Sequence, residues 1–167
     1  ALIERKGVHH LLRAWQKLNL RDAELLLVGS LHPEIHAVLK ECNAPSIKLA
    51  GFVQNVPAQL ATASAFVFPS ELEGAAKSTF EASAAGLAQI TTRASGDAVQ
   101  DGVNGKIIPP NDPDALAEAI REFYDHPAEL VRMGQAGRQR MIDHFTWDHF
   151  RQRILHGYAK ARGRKGA

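Results

Sequence analysis

The stretch AFVFPSELEGAAKSTFEA, residues 65–82, decides the fold class. Its first four residues are apolar and end at Pro69-Ser70, as in a short buried strand that is closed by a turn. Small residues follow, and Ser78 and Glu81 have the spacing of a capping box, which predicts a helix that begins near Ser78. A buried strand that passes through a short loop into a helix is one half of a parallel strand–helix–strand unit.

The same alternation of short apolar runs with helical periods extends over the whole chain. We predict apolar strands at residues 25–28, 47–52, 65–68, 88–91 and 106–108. We predict helices that begin at residue 8 and at Pro33, and further helices over 58–63, 78–85, 127–144 and 147–159. Another helix is predicted after Asp112-Pro113-Asp114, because this tripeptide supplies an N-cap, a proline and an acid in the order typical of a helix start. Parallel strands joined by helical crossovers form a sheet that is covered on both faces. The predicted fold class is therefore α/β, a Rossmann-like three-layer α/β/α sandwich with a mostly parallel sheet.

Length and composition indicate one globular domain. The chain has 167 residues, of which 45% are hydrophobic and 23% are charged. The single cysteine, Cys42, cannot form an internal disulfide, which argues against a disulfide-stapled secreted fold. No run of about 20 apolar residues is present, and nothing at the N-terminus resembles a signal peptide. We therefore expect a cytoplasmic protein.

The charge is concentrated at the C-terminus. The formal net charge is +2, and the last eleven residues hold four basic side chains and no acid. Without those four, the chain has 16 basic and 18 acidic residues, which gives a formal net charge of −2. This body lacks the basic excess that binding to a nucleic-acid backbone requires, so no nucleic-acid partner is expected. We predict a folded domain over residues 1–160 and a basic, disordered tail over 161–167.

The loop that leads from the strand at 65–68 into the next helix has the features of an anion site. Ligands of parallel α/β proteins bind at the carboxyl ends of the strands, and free N–H groups at a helix start favour an anion. Ala75 and Ala76 leave the backbone accessible, and Lys77 adds a cation. Glu73 and Glu81 would repel an anion, so they are expected to face neutral hydroxyl groups, as on a sugar attached to phosphate. From the residues alone, an equally good alternative makes Glu81 a capping partner and Glu73 a solvated loop residue.

Several motifs of this chain resemble those of a known family. The pair Glu73-x7-Glu81, preceded by Pro69-Ser70 and followed by Ala82-x3-Gly86, resembles the signature of the retaining glycosyltransferases of group 1 (family 4). Other motifs follow in the expected order, namely ERKGV at 4–8, LLLVG at 25–29, GFV at 51–53, DGVNG at 101–105, DPDAL at 112–116 and FTW at 145–147. The resemblance covers nearly the whole chain.

The resemblance implies one half of a two-domain GT-B fold. In this family the C-terminal half, which this chain resembles, binds a nucleoside-diphosphate sugar, and the N-terminal half carries most of the acceptor site. The chain would begin at the end of the first strand of that half. The implied partners are an NDP-sugar donor and an N-terminal Rossmann-like domain of the same enzyme, and the isolated domain is expected to catalyse little or nothing. Many relatives use lipid-linked acceptors, which leaves peripheral contact with the cytoplasmic membrane face open.

The resemblance also implies roles for individual residues. Glu81 resembles the carboxylate that binds the ribose hydroxyls of the donor, and Glu73 resembles the one beside the transferred sugar. Lys6 resembles the lysine that neutralises the leaving diphosphate. The remaining donor-binding positions are the backbone cradle of Gly74, Ala75, Ala76, Lys77 and Ser78, the residue Val53 whose backbone meets the base, and Gly29 and Phe52. The family usually needs no metal at the site, so no metal or cofactor is expected beside the donor substrate.

The chain departs from the family pattern at several positions. Many members carry an arginine five residues before the lysine, where this chain has Ala1. We hypothesise that Lys77, at a position that is usually apolar, replaces that charge on the diphosphate. Gln89 stands where an apolar residue is usual, and the sequence gives no physical reason for an amide in a buried strand.

Two other functions remain open at this stage. The chain could be a nucleotide-sugar epimerase-like half, or a non-catalytic module for nucleotide binding or protein interaction. Neither alternative accounts as well for the acidic pair and for the Lys6-Gly7 start.

Three further groups of residues are predicted to have structural roles. His32 and His36 are four residues apart without a third ligand nearby, so no metal site is predicted there. His9 and His10 open a helix in which only one of them is expected to face inward. A packing face is predicted for four residues at helical spacing, Trp147, Phe150, Ile154 and Tyr158. The resemblance implies that a terminal helix of this kind reaches back toward the other domain, so we expect part of this face to be exposed in this chain.

Overall fold

The computed structural model describes residues 1–163. Within this range it has five strands, β1 (Leu25–Val28), β2 (Ile47–Gly51), β3 (Ala65–Phe68), β4 (Ala88–Thr92) and β5 (Gly105–Ile108). The α-helices of this range are α1 (Val8–Leu18), α2 (His36–Glu41), α3 (Val56–Leu60), α4 (Lys77–Ala84), α5 (Pro113–Asp125), α6 (Pro127–His144) and α7 (Trp147–Gly163). The predicted order of strands and helices is confirmed.

All strand pairs are parallel, as predicted, but they form two sheets instead of one. β1 pairs with β2, and β3, β4 and β5 pair in that order. Residues 1–7 connect the carboxyl ends of the two sheets. Leu2 forms a parallel bridge with Leu31, just after β1. The Arg5 carbonyl accepts hydrogen bonds from the Glu71 N–H at 2.9 Å and from the Ser70 hydroxyl at 3.2 Å, just after β3.

Helices cover both faces of the strands. On one face, Ala88 and Ile90 of β4 belong to a large apolar core that includes residues of α1 and α5. On the other face, Phe66 of β3 packs against a smaller core formed by residues of α3 and α4. Because neighbouring residues of a strand point to opposite faces, the two cores lie on either side of the strands. The predicted α/β fold class with three layers is confirmed.

The buried Gln89 has a structural explanation. Its side-chain amide donates to the Thr79 carbonyl at 2.9 Å and to the Ser83 hydroxyl at 2.6 Å, and both acceptors belong to α4. Gln89 is fully buried, so these bonds compensate the cost of removing its amide nitrogen from water. They also fix α4 against β4, and the N-terminal end of α4 is the predicted anion site.

The C-terminal helix differs from the prediction. α7 runs to Gly163, three residues beyond the predicted domain boundary, and residues 164–167 of the predicted tail lie outside the described residues. The apolar face predicted on α7 is exposed, as expected of a surface that would reach toward another domain; its residues are Trp147, Phe150, Ile154 and Tyr158. Of the helices within residues 1–163, none is long and apolar enough to cross a membrane.

Candidate functional site

The start of α1 lies directly on the end of β3. Gly7 has φ +69°, and a Cβ built there would lie 2.0 Å from the carbonyl oxygen of Pro69. A side chain at this position would overlap the backbone of the loop at residues 69–76, so the close approach requires glycine. This contact brings the two basic residues before Gly7, Arg5 and Lys6, to the loop that carries the predicted acids.

Arg5 forms an ion pair with Glu73. The Arg5 guanidinium donates a short hydrogen bond to the Leu72 carbonyl, and its Nη1 lies 3.4 Å from Oε1 of Glu73. The Glu73 side chain is only 18% exposed, and among residues 1–163 its Oε1 has no hydrogen-bond partner of good geometry. Sequence reasoning missed this role of Arg5, because nothing in the spacing of the chain relates residue 5 to residue 73.

The two predicted lysines lie in different surroundings. Lys6 Nζ lies 5.8 Å from the ring centroid of Phe68, the last residue of β3. Lys77 is at the first position of α4, its side chain is 89% exposed, and its Nζ lies 3.3 Å from Oε1 of Glu81. The predicted capping box of Ser78 and Glu81 is wrong. α4 begins one residue earlier with Ala76 as an N-cap that makes no side-chain bond, and the Glu81 carboxylate faces Lys77 instead.

The small-residue loop before α4 is packed against a neighbouring turn. The Ala76 N–H donates to the Ser95 carbonyl at 3.2 Å, and a Cβ built on Gly96 would lie 3.3 Å from the Ala75 Cα. No side chain caps α4, and the Thr79 N–H donates to the Ala76 carbonyl at 3.0 Å. The N–H groups of Lys77 and Ser78, at the first two positions, therefore have no acceptor within the helix. These groups, together with the exposed ammonium of Lys77, can bind an anion at this end of α4.

Three further predicted residues lie at the carboxyl ends of β1 and β2. The Gly29 N–H donates to the Gly51 carbonyl at 2.7 Å, which places Gly29 beside the segment that contains Phe52 and Val53. Phe52 is 77% exposed and Val53 is half-buried. Within the described part of the chain, no hydrogen bond or ion pair joins Phe52 or Val53 to the loop at 69–76. They share the carboxyl edge with Glu73 but do not contact it through polar groups.

Two clefts of about 290 and 300 Å³ lie away from the predicted acids. One is formed between α4 and α6 and is lined by Ala84 and Phe145, and the other is lined by Gly96 and Arg140. Neither cleft is lined by Glu73 or Glu81. The two acids therefore share neither of these hollows within this chain.

His9 and His10 both face Glu71, so the prediction that only one of them faces inward is wrong. Their side chains are 17% and 14% exposed, and their ring centroids are 3.9 Å apart. Burial, with a smaller contribution from His10, lowers the pKa of His9 below its usual value, which favours the neutral imidazole. The error arises because Glu71, a residue far along the chain, lies beside both rings.

Comparison with known proteins identifies the family. Residues 1–126 match the family described as Glycosyl transferases group 1, which is most of the chain. The chain belongs to the group 1 glycosyl transferases. Its resemblance in sequence to this family is thereby confirmed, and its three-layer fold is that of one Rossmann-like half of a GT-B enzyme.

Individual group 1 glycosyl transferases and related structures extend well beyond this chain. The MMP alpha-(1->4)-mannosyltransferase of Mycolicibacterium hassiacum is 32% identical over an alignment of 180 positions, gaps included. The alignment covers 97% of this chain and 42% of that protein. The structure of sucrose-phosphate synthase from Thermosynechococcus elongatus matches with a TM-score of 0.85 at 26% identity. The match covers 97% of this chain and 44% of the synthase chain. The structure of Anabaena HepE in complex with UDP matches with a TM-score of 0.86 at 20% identity, and the match covers 95% of this chain and 46% of the HepE chain. The chain thus spans less than half the length of these proteins.

Proposed function

We propose that this chain is the donor-binding half of a retaining glycosyltransferase, which transfers a hexosyl group from a nucleoside-diphosphate sugar to an acceptor. The observation that supports this best is the arrangement at the start of α4. An uncapped helix end follows a loop of small residues, with Glu73 on the loop and Glu81 on the second turn. Membership of the group 1 family supports the transfer reaction, and a protein of the same fold, HepE, binds UDP.

The proposed roles follow from the charge of each group. The diphosphate lies at the N-terminal end of α4, where backbone N–H groups and the lysines Lys6 and Lys77 balance its charge without a metal ion. During transfer the bond between the anomeric carbon and the diphosphate oxygen breaks, and its electron pair remains on that oxygen. Cations beside this oxygen lower the barrier because they stabilise the charge that develops there. The acceptor hydroxyl oxygen then bonds to the anomeric carbon on the same face of the sugar, and its proton passes to the departing diphosphate oxygen.

The acids are assigned to the neutral hydroxyls of the donor. Glu81 accepts hydrogen bonds from the ribose, and Glu73, paired with Arg5, accepts from the transferred sugar. Backbone atoms near Gly29, Phe52 and Val53 meet the base. The acceptor would bind to an N-terminal Rossmann-like domain, so this chain alone would bind nucleotide and transfer little or no sugar. We assign the full-length enzyme to the cytoplasm, either free or at the membrane face, with no role for nucleic acid.

Removal of the Glu81 carboxylate tests the proposal. We expect Glu81→Ala to weaken the binding of the preferred nucleotide, among UDP, GDP and ADP, by about 1–3 kcal/mol in calorimetry, because a charged hydrogen-bond acceptor is lost. The direction is diagnostic. Without Glu81, Lys77 loses its partner and the site becomes more positive, so electrostatics alone would strengthen the binding of a diphosphate.

Controls separate the ribose contact from charge. Glu118→Ala, on the exposed side of α5, makes the same change in net charge away from the site and should leave affinity unchanged. The corresponding 2′,3′-dideoxy nucleotide should bind wild type and Glu81→Ala equally well, apart from the charge effect. In addition, Lys77→Ala should reduce affinity for the nucleoside diphosphate and not for the nucleoside. If wild type binds none of the three nucleotides, or if Glu81→Ala binds as tightly as wild type, the assignment of this chain to donor binding is refuted.

A further inference from the structure

The cluster at the start of α1 contains more ligand atoms than its hydrogen bonds use. Nε2 of His9 and Nε2 of His10 lie 3.8 and 3.6 Å from the same oxygen, Oε1 of Glu71. The three ligand atoms all lie within 4.8 Å of one another. Among residues 1–163 this is the one group of three or more His, Cys, Asp or Glu side chains arranged in this way. The sequence separation of Glu71 from the histidines hides this group from any motif search.

These distances are too long for hydrogen bonds but suit a shared cation. A hydrogen bond from an imidazole to a carboxylate has a length of about 2.7–3.2 Å. Two ligands about 2.1 Å from a tetrahedral metal are separated by about 3.4 Å. The observed 3.6 and 3.8 Å are within a few tenths of an ångström of that value. Small side-chain adjustments would therefore bring both histidines and Glu71 onto one ion.

Neither tautomer of the histidines satisfies the cluster. Nδ1 of His9 and Nδ1 of His10 are buried without a hydrogen-bond partner in the described residues. If the protons are on Nδ1, the Nε2 lone pairs face a carboxylate, which is repulsive. If they are on Nε2, His10 can donate to Oδ1 of Asn111 at 3.1 Å, but the His9 N–H points to an oxygen that is too distant, and the buried Nδ1 lone pairs of both rings have no donor. A cation between the two Nε2 atoms and the carboxylate removes the repulsion.

A fourth possible ligand atom, an oxygen, is close to the cluster. Oδ1 of Asn111, in the loop before α5, lies 3.1 Å from Nε2 of His10. We propose that His9, His10, Glu71 and Asn111 form a binding site for one divalent transition-metal ion such as Zn²⁺ or Co²⁺. Two imidazoles and two oxygens are ligands that these ions accept, and His10 gives up its hydrogen bond to Asn111 when both bind the metal.

The site has a definite place in the fold. It joins the first turn of α1, the loop after β3 and the loop before α5, and the backbone of Glu71 is already fixed by its hydrogen bond to the Arg5 carbonyl. A metal at this position fastens the same loop that carries Glu73. The proposal does not depend on donor binding, and the ion acts as a structural link outside the transfer reaction.

The test is metal binding by the purified chain, freed of any histidine affinity tag and treated with a chelator. Zn²⁺ calorimetry should show one site, Co²⁺ should give the visible absorption of a tetrahedral complex, and Zn²⁺ should raise the melting temperature. Glu71→Gln and His10→Ala should each weaken Zn²⁺ binding by at least about tenfold and abolish the rise in melting temperature. His36→Ala, at an exposed histidine of α2, is the matched control and should behave as wild type.

Glu71→Gln keeps the shape of the side chain on a partly exposed loop, so a folded variant is available even if His10→Ala unfolds. Circular dichroism without metal verifies the fold of each variant. The proposal is overturned if wild type binds no Zn²⁺, or if Glu71→Gln binds it as tightly as wild type does. Loss of binding in His36→Ala would equally overturn it, because the ion would then be elsewhere.

Discussion

Replacing Gly7 by alanine is expected to destabilise the chain by about 2–5 kcal/mol. The left-handed backbone at φ +69° costs a residue with a Cβ about 1–2 kcal/mol, and the forced shift of the Pro69 carbonyl, only 2.0 Å from the new Cβ, adds about 1–3 kcal/mol. Urea unfolding followed by circular dichroism measures the loss. Because this contact also aligns Arg5 with Glu73, we expect the variant to bind nucleotide more weakly even where it remains folded.

Gly102→Ala is the matched control for Gly7→Ala. Gly102 has φ +72°, nearly the same as Gly7, but a Cβ there meets nothing within 4 Å. This variant should therefore show only the backbone cost of about 1–2 kcal/mol. Equal losses in both variants would mean that α1 does not press on Pro69, and the alignment of the N-terminal segment with the loop would be wrong.

Gly134→Ala is expected to cause the second large loss of stability. Gly134 lies in α6, and a Cβ there would be 2.0 Å from the carbonyl oxygen of Gly86, in the turn between α4 and β4. The atoms that this Cβ would meet belong to the backbone and cannot rotate aside as a side chain could. Helix α6 must therefore move away from the sheet, at a cost of about 1–3 kcal/mol or more. Thermal unfolding of the variant measures this cost.

Gly157→Ala provides the comparison for Gly134→Ala. Gly157 lies in the exposed helix α7, where a Cβ meets nothing within 4 Å. Since alanine favours the helix over glycine by up to about 1 kcal/mol, this variant should lose no stability. If the melting temperature of Gly134→Ala equals that of wild type, the close packing of α6 against the end of α4 is contradicted.

Local sequence signals predicted most of the fold. The apolar runs and helical periods gave the order of elements, and Asp112 caps α5 as its sequence predicts, accepting from the N–H groups of Asp114 and Ala115 at 3.1 and 2.9 Å. The separation into two sheets was not predictable in this way, because it depends on how residues 1–7 bridge to the ends of β1 and β3. Helical spacing predicted the apolar face of α7, and the family resemblance predicted its exposure; spacing alone does not show what covers such a face.

The sequence indicated the residues of the candidate site but not their contacts. The pattern of small residues and acids pointed to the loop before α4 and to Glu73 and Glu81. It did not reveal that Arg5 pairs with Glu73 or that Lys77 pairs with Glu81. The partner of a charged side chain depends on which opposite charges the fold brings near it, and spacing along the sequence does not give this. The histidine pair is the clearest case. Adjacent residues on a helix point in different directions, and the sequence does not show that Glu71 lies within 4 Å of both rings.

Binding of a diphosphate at the start of α4 is tested most directly by backbone amide NMR of the chain. Titration with the preferred nucleoside diphosphate should shift the amides of Gly74, Ala75, Lys77 and Ser78, because these groups donate to or surround the phosphates. The matching nucleoside, which lacks phosphate, should leave these four signals in place. Saturable shifts elsewhere in the chain with these amides unmoved, or no shift with any nucleoside diphosphate, would contradict the proposed donor site.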